Sequence, residues 1–251
     1  VIINNYVDVE QSKKVSEEKG EPVVVYENLP YKIERPKVDE SKAYIPIIAA
    51  VIIGSVLFII VSKVNRFPIW KVWFFLAVLL SLSIAFNAFI PSNAAFILAL
   101  ILTFLKIHKP NIFTHNISEL FIYGGLAVII VPIMNLQAAM ILLIAISIYD
   151  VIAVFYTKHM IKMAKFQSKA KLFAGLFLPY KTKKAKNRKK MNIAILGGGD
   201  MAFPLIFAGV AMKSFGLLKT NIIPLFAAAG LILLFLMAKK KKFYPAMPFV
   251  T

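Results

Sequence analysis

The sequence predicts an all-α polytopic membrane protein, and three observations carry that prediction. Of the 251 residues 59% are hydrophobic, with a mean hydropathy of +0.75, above the roughly 45–50% apolar content of an ordinary soluble domain. The excess lies in long runs such as Ile45 to Val61, Val72 to Ile90 and Ala138 to Ile148. Runs near 20 residues cross a hydrocarbon core of about 30 Å as helices. After residue 43 the charged residues fall almost entirely between these runs.

Residues 1–43 are polar and hold nine of the twelve acidic residues and seven basic ones. Val1-Ile2-Ile3 reads as the tail of a preceding span. Pro30 and Pro36 interrupt any helix in this segment, which reads as an extramembrane loop, partly ordered at best. The spans follow at about 44–61, 68–90, 94–105, 117–133 and 136–156. Pro91-Ser92-Asn93 turns the chain between the second and third, and the third is short. A basic segment, 158–191, comes next, with twelve Lys or Arg and no acid. Its apolar middle, Leu172 to Leu178, is expected at the membrane interface. A sixth span is predicted at 192–212 and a seventh at 221–238. Lys239 to Lys242 then precede Phe243 to Pro248, which opens an eighth. The organisation is therefore a loop at 1–43, spans at 44–157, a basic loop at 158–191 and further spans at 192–251.

Charge predicts orientation. The connections at 62–71, 106–116, 158–191 and 239–242 are basic. Those at 91–93 and 134–135 carry no charge, and 213–220 carries only Lys213 and Lys219. Basic and poor connections alternate, so the positive-inside rule puts the basic set in the cytoplasm. The net charge of +18 is thus read as contact with anionic headgroups of the lipid bilayer, and nucleic acid is not an expected partner. With no cysteine, disulfides and cysteine-ligated metals are excluded. His108, His115 and His159 lie near predicted span ends or in loops, and no metal site or other cofactor is expected.

Three carboxylates remain beyond residue 43: Glu119, Asp150 and Asp200. Glu119 falls near a predicted span end, where water is expected to reach it. Asp150 and Asp200 sit within apolar runs. An Asp at mid-helix costs about 2.5–3.5 kcal/mol on the insertion scale and usually marks function. The two predicted spans are consecutive and antiparallel. Asp150 lies eight residues before Lys158 and Asp200 eight residues after Asn192. At helical rise both lie about 12 Å below the cytoplasmic face. Two carboxylates meeting there share one proton, as in the aspartic-protease dyad. The ionised member deprotonates water and the protonated member donates to the oxyanion and leaving nitrogen.

Neighbouring residues add to this pair. Gly197-Gly198-Gly199 precedes Asp200 and permits close backbone approach. Pro245-Ala246-Met247-Pro248 enters the membrane from the same face, and its prolines leave backbone groups unpaired that are tolerated when buried in protein or lining a wet cavity. Tyr149 precedes Asp150 and carries a hydroxyl near the site. Pro204 is expected to kink its helix.

Tyr149-Asp150, Gly197-Gly198-Gly199-Asp200 and Pro245-Ala246-Met247, each in its own span and in this order, resemble the Tyr-Asp, Gly-x-Gly-Asp and Pro-Ala-Leu motifs of the presenilin and signal peptide peptidase family. The resemblance covers the chain from about residue 44 onward. It implies a presenilin-like nine-helix fold, with the first span missing and the last cut short in this chain. It implies that Asp150 and Asp200 are catalytic, that Gly197 and Gly199 shape the site, and that Pro245 to Met247 support it and contact substrate. The activity implied is an intramembrane aspartyl endopeptidase acting on transmembrane protein substrates. Loop 158–191 corresponds to the segment of self-cleavage in presenilin, and Leu172 to Leu178 is a candidate extended strand in the cleft. Two positions depart from the pattern: Met247 replaces Leu, a near volume-conserving change, and Gly198 stands where a larger residue is usual. Orientation and brevity resemble a prokaryotic presenilin homologue in a cell membrane. A homo-oligomer is compatible with the sequence. The rival reading is a proton- or cation-coupled transporter or channel using the same Asp pair.

Overall fold

The computed structural model describes residues 2–20, 23–64, 67–109, 111–170, 172–180, 192–238 and 243–251. Arg66, positions 181–191 of the basic loop and Lys239 to Lys242 lie outside the described residues.

The head is tied down more firmly than its composition suggests. A single 3-10 stretch, Ile2–Tyr6, leads into α1 (Val9–Lys19). Asp8 caps α1 by accepting the Gln11 N–H, and Gly20 closes it in the left-handed conformation at φ 68°, where glycine carries no Cβ penalty. Tyr6 donates to the Ile84 carbonyl at 2.7 Å, Asn5 to that of Ala88 at 2.8 Å and Tyr31 to that of Ser92 at 2.8 Å. Tyr6 and Asn5 thus meet carbonyls at the C-terminal end of one membrane helix, where a helix leaves such groups open, and Tyr31 adds a contact at the start of the next.

The bundle comprises α2 (Tyr44–Val64), α3 (Phe67–Asn87), α4 (Ser92–His108), α5 (Ile112–Ile130) and α6 (Leu136–Val151). A basic helix follows, α7 (His159–Ala170), then strands β1 (Gly175–Tyr180) and β2 (Asn192–Gly197), and then α8 (Gly198–Thr220), α9 (Ile222–Met237) and the short α10 (Met247–Val250). Among the described residues, five helical segments are long and apolar enough to cross a membrane: Tyr44–Val61, Pro68–Asn87, Ile112–Ile133, Leu136–Tyr156 and Gly198–Thr220. The helices Ser92–His108 and Ile222–Met237 are apolar but shorter. Side chains such as Trp73, Leu218 and Leu236 point outward, as lipid-facing positions must.

The main core joins α5, α6, α8 and α10 through Val128, Leu142, Ile146, Ile206, Val210 and Met247. A second core packs α3 against α4 through Phe74, Leu82, Phe86, Ala95 and Ala99, and takes in Leu172.

Several boundaries differ from the sequence reading. The helix predicted at 192–212 starts at Gly198, because Asn192–Gly197 is extended and pairs antiparallel with Gly175–Tyr180. Ile193 and Ile195 suit a strand, and the glycine run delays the helix. Within Leu172 to Leu178, Leu172 is buried in the second core and Gly175 onward is strand, as the candidate extended strand required. The fourth span begins earlier, at Ile112, where Asn111 caps it by accepting the Phe113 N–H, so His115 lies on α5 rather than in a loop. Pro204 is accommodated inside α8, and the break in helical geometry comes instead at Gly216 (φ 74°).

Candidate active site

The Asp150 carboxylate is placed by the end of α6. Asp150 is the penultimate residue of that helix, and a π-helical turn, Ile152–Tyr156, follows it. Such turns occur often at functional sites. Asp150 Oδ2 accepts the backbone N–H of Met247 at 3.1 Å. Pro245, Ala246 and Met247 are all buried. Ala246 packs on Leu196 of β2 and Leu234 of α9. At Gly230 of α9 a Cβ would collide with the Phe249 carbonyl of α10, so this glycine lets the segment approach closely enough to reach Asp150.

Asp200 is the third residue of α8. It was expected deep in a helix that began near Asn192; instead it sits in the first turn, directly after a strand. Equal depth of the two carboxylates therefore does not follow from helical rise, since β2 advances about 3.3 Å per residue. From the third helical position the Asp200 side chain turns back toward Gly197, the residue before the helix. A Cβ on Gly197 would lie 2.9 Å from Asp200 Oδ2, so the first glycine of the motif makes room for the carboxylate itself. A Cβ on Gly198 would lie 3.0 Å from the Tyr123 hydroxyl and 3.3 Å from the Ala174 carbonyl. The position where a larger residue is usual is thus already occupied, by a tyrosine from α5. Gly199 is exposed, and a Cβ there would touch only the Phe203 ring at 3.6 Å.

Asp150 and Asp200 are 3% and 7% exposed and line one cavity of about 170 Å³. Tyr149, Gly199 and Met247 line it too, with Ser55 of α2 and His159 of α7. The Tyr149 hydroxyl donates to Ser55 Oγ at 2.7 Å and meets His159 Nε2 at 2.9 Å. Ser55 Oγ donates in turn to the Val51 carbonyl at 2.8 Å. Tyr149 therefore ties α2 and α7 to the helix that carries Asp150. Burial pushes the His159 imidazole below its ordinary range, which favours its neutral form. The sequence reading missed Ser55 and His159. Serine in an apolar run carries little signal, and His159 stands alone among basic residues.

A second buried polar group was also missed. Glu119 was expected to meet water; it is 1% exposed. Lys106 Nζ of α4 donates to Glu119 Oε1 at 2.6 Å and contacts His115 Nδ1 at 3.2 Å. The signal was present, since His115 and Glu119 are four residues apart and share a helix face. Among the described residues no group of three or more His, Cys, Asp or Glu is placed to hold a metal.

The fold and the cavity define a helical membrane protein with two buried carboxylates lining one cavity. The sequence matches the family described as signal-peptide peptidase and presenilin aspartyl protease over residues 23–251, and the chain belongs to that family. It is an aspartic endopeptidase of the intramembrane-cleaving kind and a multi-pass integral membrane protein. A search among curated proteins finds no match. Among solved structures the fold is similar to that of a presenilin family intramembrane aspartate protease, with a TM-score of 0.58 and 19% identity. That similarity covers 85% of this chain and 84% of the other. Neither the family nor the fold supports the transporter reading.

Proposed function

We propose that Asp150 and Asp200 are the catalytic pair with which this protease hydrolyses peptide bonds inside transmembrane segments of other membrane proteins. The observation that carries the assignment is their convergence, from two helices, on one small cavity otherwise lined largely by apolar groups. Two carboxylates at such a site hold one proton between them. The ionised carboxylate takes a proton from water, and the water oxygen attacks the scissile carbonyl. The protonated carboxylate donates to the developing oxyanion, and the leaving nitrogen is protonated as the bond breaks. The Met247 N–H fixes one Asp150 oxygen, leaving the other for this chemistry.

A substrate helix must unwind to present its carbonyl. Strand β2 pairs with β1 on one side only, and its second edge, among the described residues, meets no further strand. An unwound segment has there a row of backbone donors and acceptors beside Asp200.

The assay is purified protein in detergent with a transmembrane peptide. Cleavage by the wild type, lost in Asp150→Ala and in Asp200→Ala, is the expected result; cleavage that survives either change overturns the pair.

The basic connections lie in the cytoplasm in this reading, with residues 1–43 on the opposite face. The natural absence of cysteine allows single reporters. Glu17→Cys is expected to label from outside intact cells and Lys162→Cys only after permeabilisation, and the reverse pattern inverts the orientation.

A further inference from the structure

Lys106, His115 and Glu119 are 2%, 4% and 1% exposed, and the hydrolysis just described uses none of them. A buried ion pair of this kind is weak evidence for stability, and its best-attested use is to specify one arrangement among several. The arrangement it specifies here can be followed atom by atom. Lys106 Nζ has only donors, so its 3.2 Å contact makes His115 Nδ1 the acceptor. The remaining ring proton is then on Nε2, and His115 Nε2 donates it to the Gly175 carbonyl of β1 at 2.8 Å. The same ring stacks on Phe177, with centroids 4.3 Å apart and planes at 20°.

The next residue completes the contact. Asn116 Nδ2 donates to the Phe177 carbonyl at 2.8 Å, and Asn116 Oδ1 accepts the Phe177 N–H at 2.9 Å. Gly175 and Phe177 are two residues apart, so these backbone groups face the same edge of the strand. The first turn of α5 thereby takes the place of a further strand and closes the outer edge of β1. The inner edge pairs with β2, Gly175 opposite Gly197, and the Gly198 N–H donates to the Ala174 carbonyl at 3.1 Å. Asp200 follows two residues later.

We propose that Asn116 and His115 are positioning residues for proteolysis: they fix β1, and through it the turn Gly197 to Asp200, in the register that brings Asp200 to Asp150. Lys106 and Glu119 hold the His115 ring in the tautomer that reaches Gly175. The proposal rests on the assignment of Asp150 and Asp200 as the catalytic pair.

Two readouts separate the claims. The first needs no activity. In Asp200→Ala protein, deuterium exchange of the amides at 176–178 and 193–197 is compared with and without Asn116→Leu. Faster exchange in the hairpin, with α6 and α8 unchanged, is expected. Unchanged exchange overturns the anchoring even if the catalytic assignment stands. The second readout is kinetic, in otherwise wild-type protein with a transmembrane peptide. Asn116→Leu and His115→Phe are expected to lower kcat roughly 10²-fold, the scale of a misplaced catalytic group, with KM changed less. His115→Gln, which keeps a donor near the Nε2 position, is expected to recover part of the loss. Wild-type kcat in both variants overturns the proposal. Phe177→Pro deletes the same N–H from the strand side and leaves the pairing with β2 available. It gives the same kinetic test should Asn116→Leu not fold. Survival of cleavage in Asp200→Ala sinks the catalytic assignment alone, because the exchange result stands apart from it.

Discussion

Gly198 shows how much a single missing side chain explains. Its place in the motif usually carries a larger residue, and here the Tyr123 hydroxyl and the Ala174 carbonyl fill the space. Gly198→Leu is therefore expected to impair cleavage and lower the thermal midpoint in detergent. Gly198→Leu combined with Tyr123→Ala should recover much of the loss, because the two changes act on one space and are not additive. Equal, additive losses would show that the crowding is not the cause. Asp150, Asp200 and the Pro245 to Met247 segment were legible from sequence as candidates for one site, since carboxylates and prolines stand out in apolar runs. What Met247 does was not legible. Its contribution is a backbone N–H, which every residue but proline has, so no side-chain pattern announces it.

At the scale of elements, the joint between α4 and α5 is where the sequence reading went furthest astray. Glu119 was placed in water because its span was started five residues late, at 117 rather than Ile112. With α5 correctly begun, Glu119 lies two turns into the helix, facing Lys106. Removing one member leaves a buried charge without its partner, a loss of about 3–5 kcal/mol, whereas replacing both by apolar residues is often neutral or stabilising. Glu119→Leu should accordingly lower the detergent unfolding midpoint well below that of Lys106→Met, Glu119→Leu together. A double variant as unstable as the single one would contradict this. Strand β2 escaped detection for a related reason, whereas β1 overlaps the extended strand that the resemblance suggested at Leu172 to Leu178. Ile193 to Leu196 and Leu176 to Leu178 are short apolar runs, which periodicity alone does not separate from helix. Only their mutual pairing, between partners at most 22 residues apart, makes them strands.

For the whole molecule, the membrane reading was accessible from hydropathy, and the order of the spans followed from it. The meeting of Asp150 and Asp200 was anticipated for a reason that proved incomplete. Depth counted along two ideal helices takes no account of β2, and the site is instead assembled by a helix end, a strand-to-helix turn and a third segment. One macroscopic property follows from two carboxylates that titrate together: the rate of cleavage should fall on both the acid and the alkaline side, with apparent constants belonging to the pair. A pH-independent rate from about pH 4 to 9 would be incompatible with this chemistry. The profile is best recorded with a single peptide in one detergent, beside a melting curve at each pH, so that unfolding is not mistaken for titration.

The strand pair also bears on how many polypeptides the protein needs. Tyr180 stands opposite Asn192, so the stretch 181–191 begins and ends at one place. Its ends are held together by the ladder whether or not the chain between them is continuous. A protein nicked within that stretch, or produced as two separately translated pieces, should reassemble into one active unit, with the hairpin as the seam.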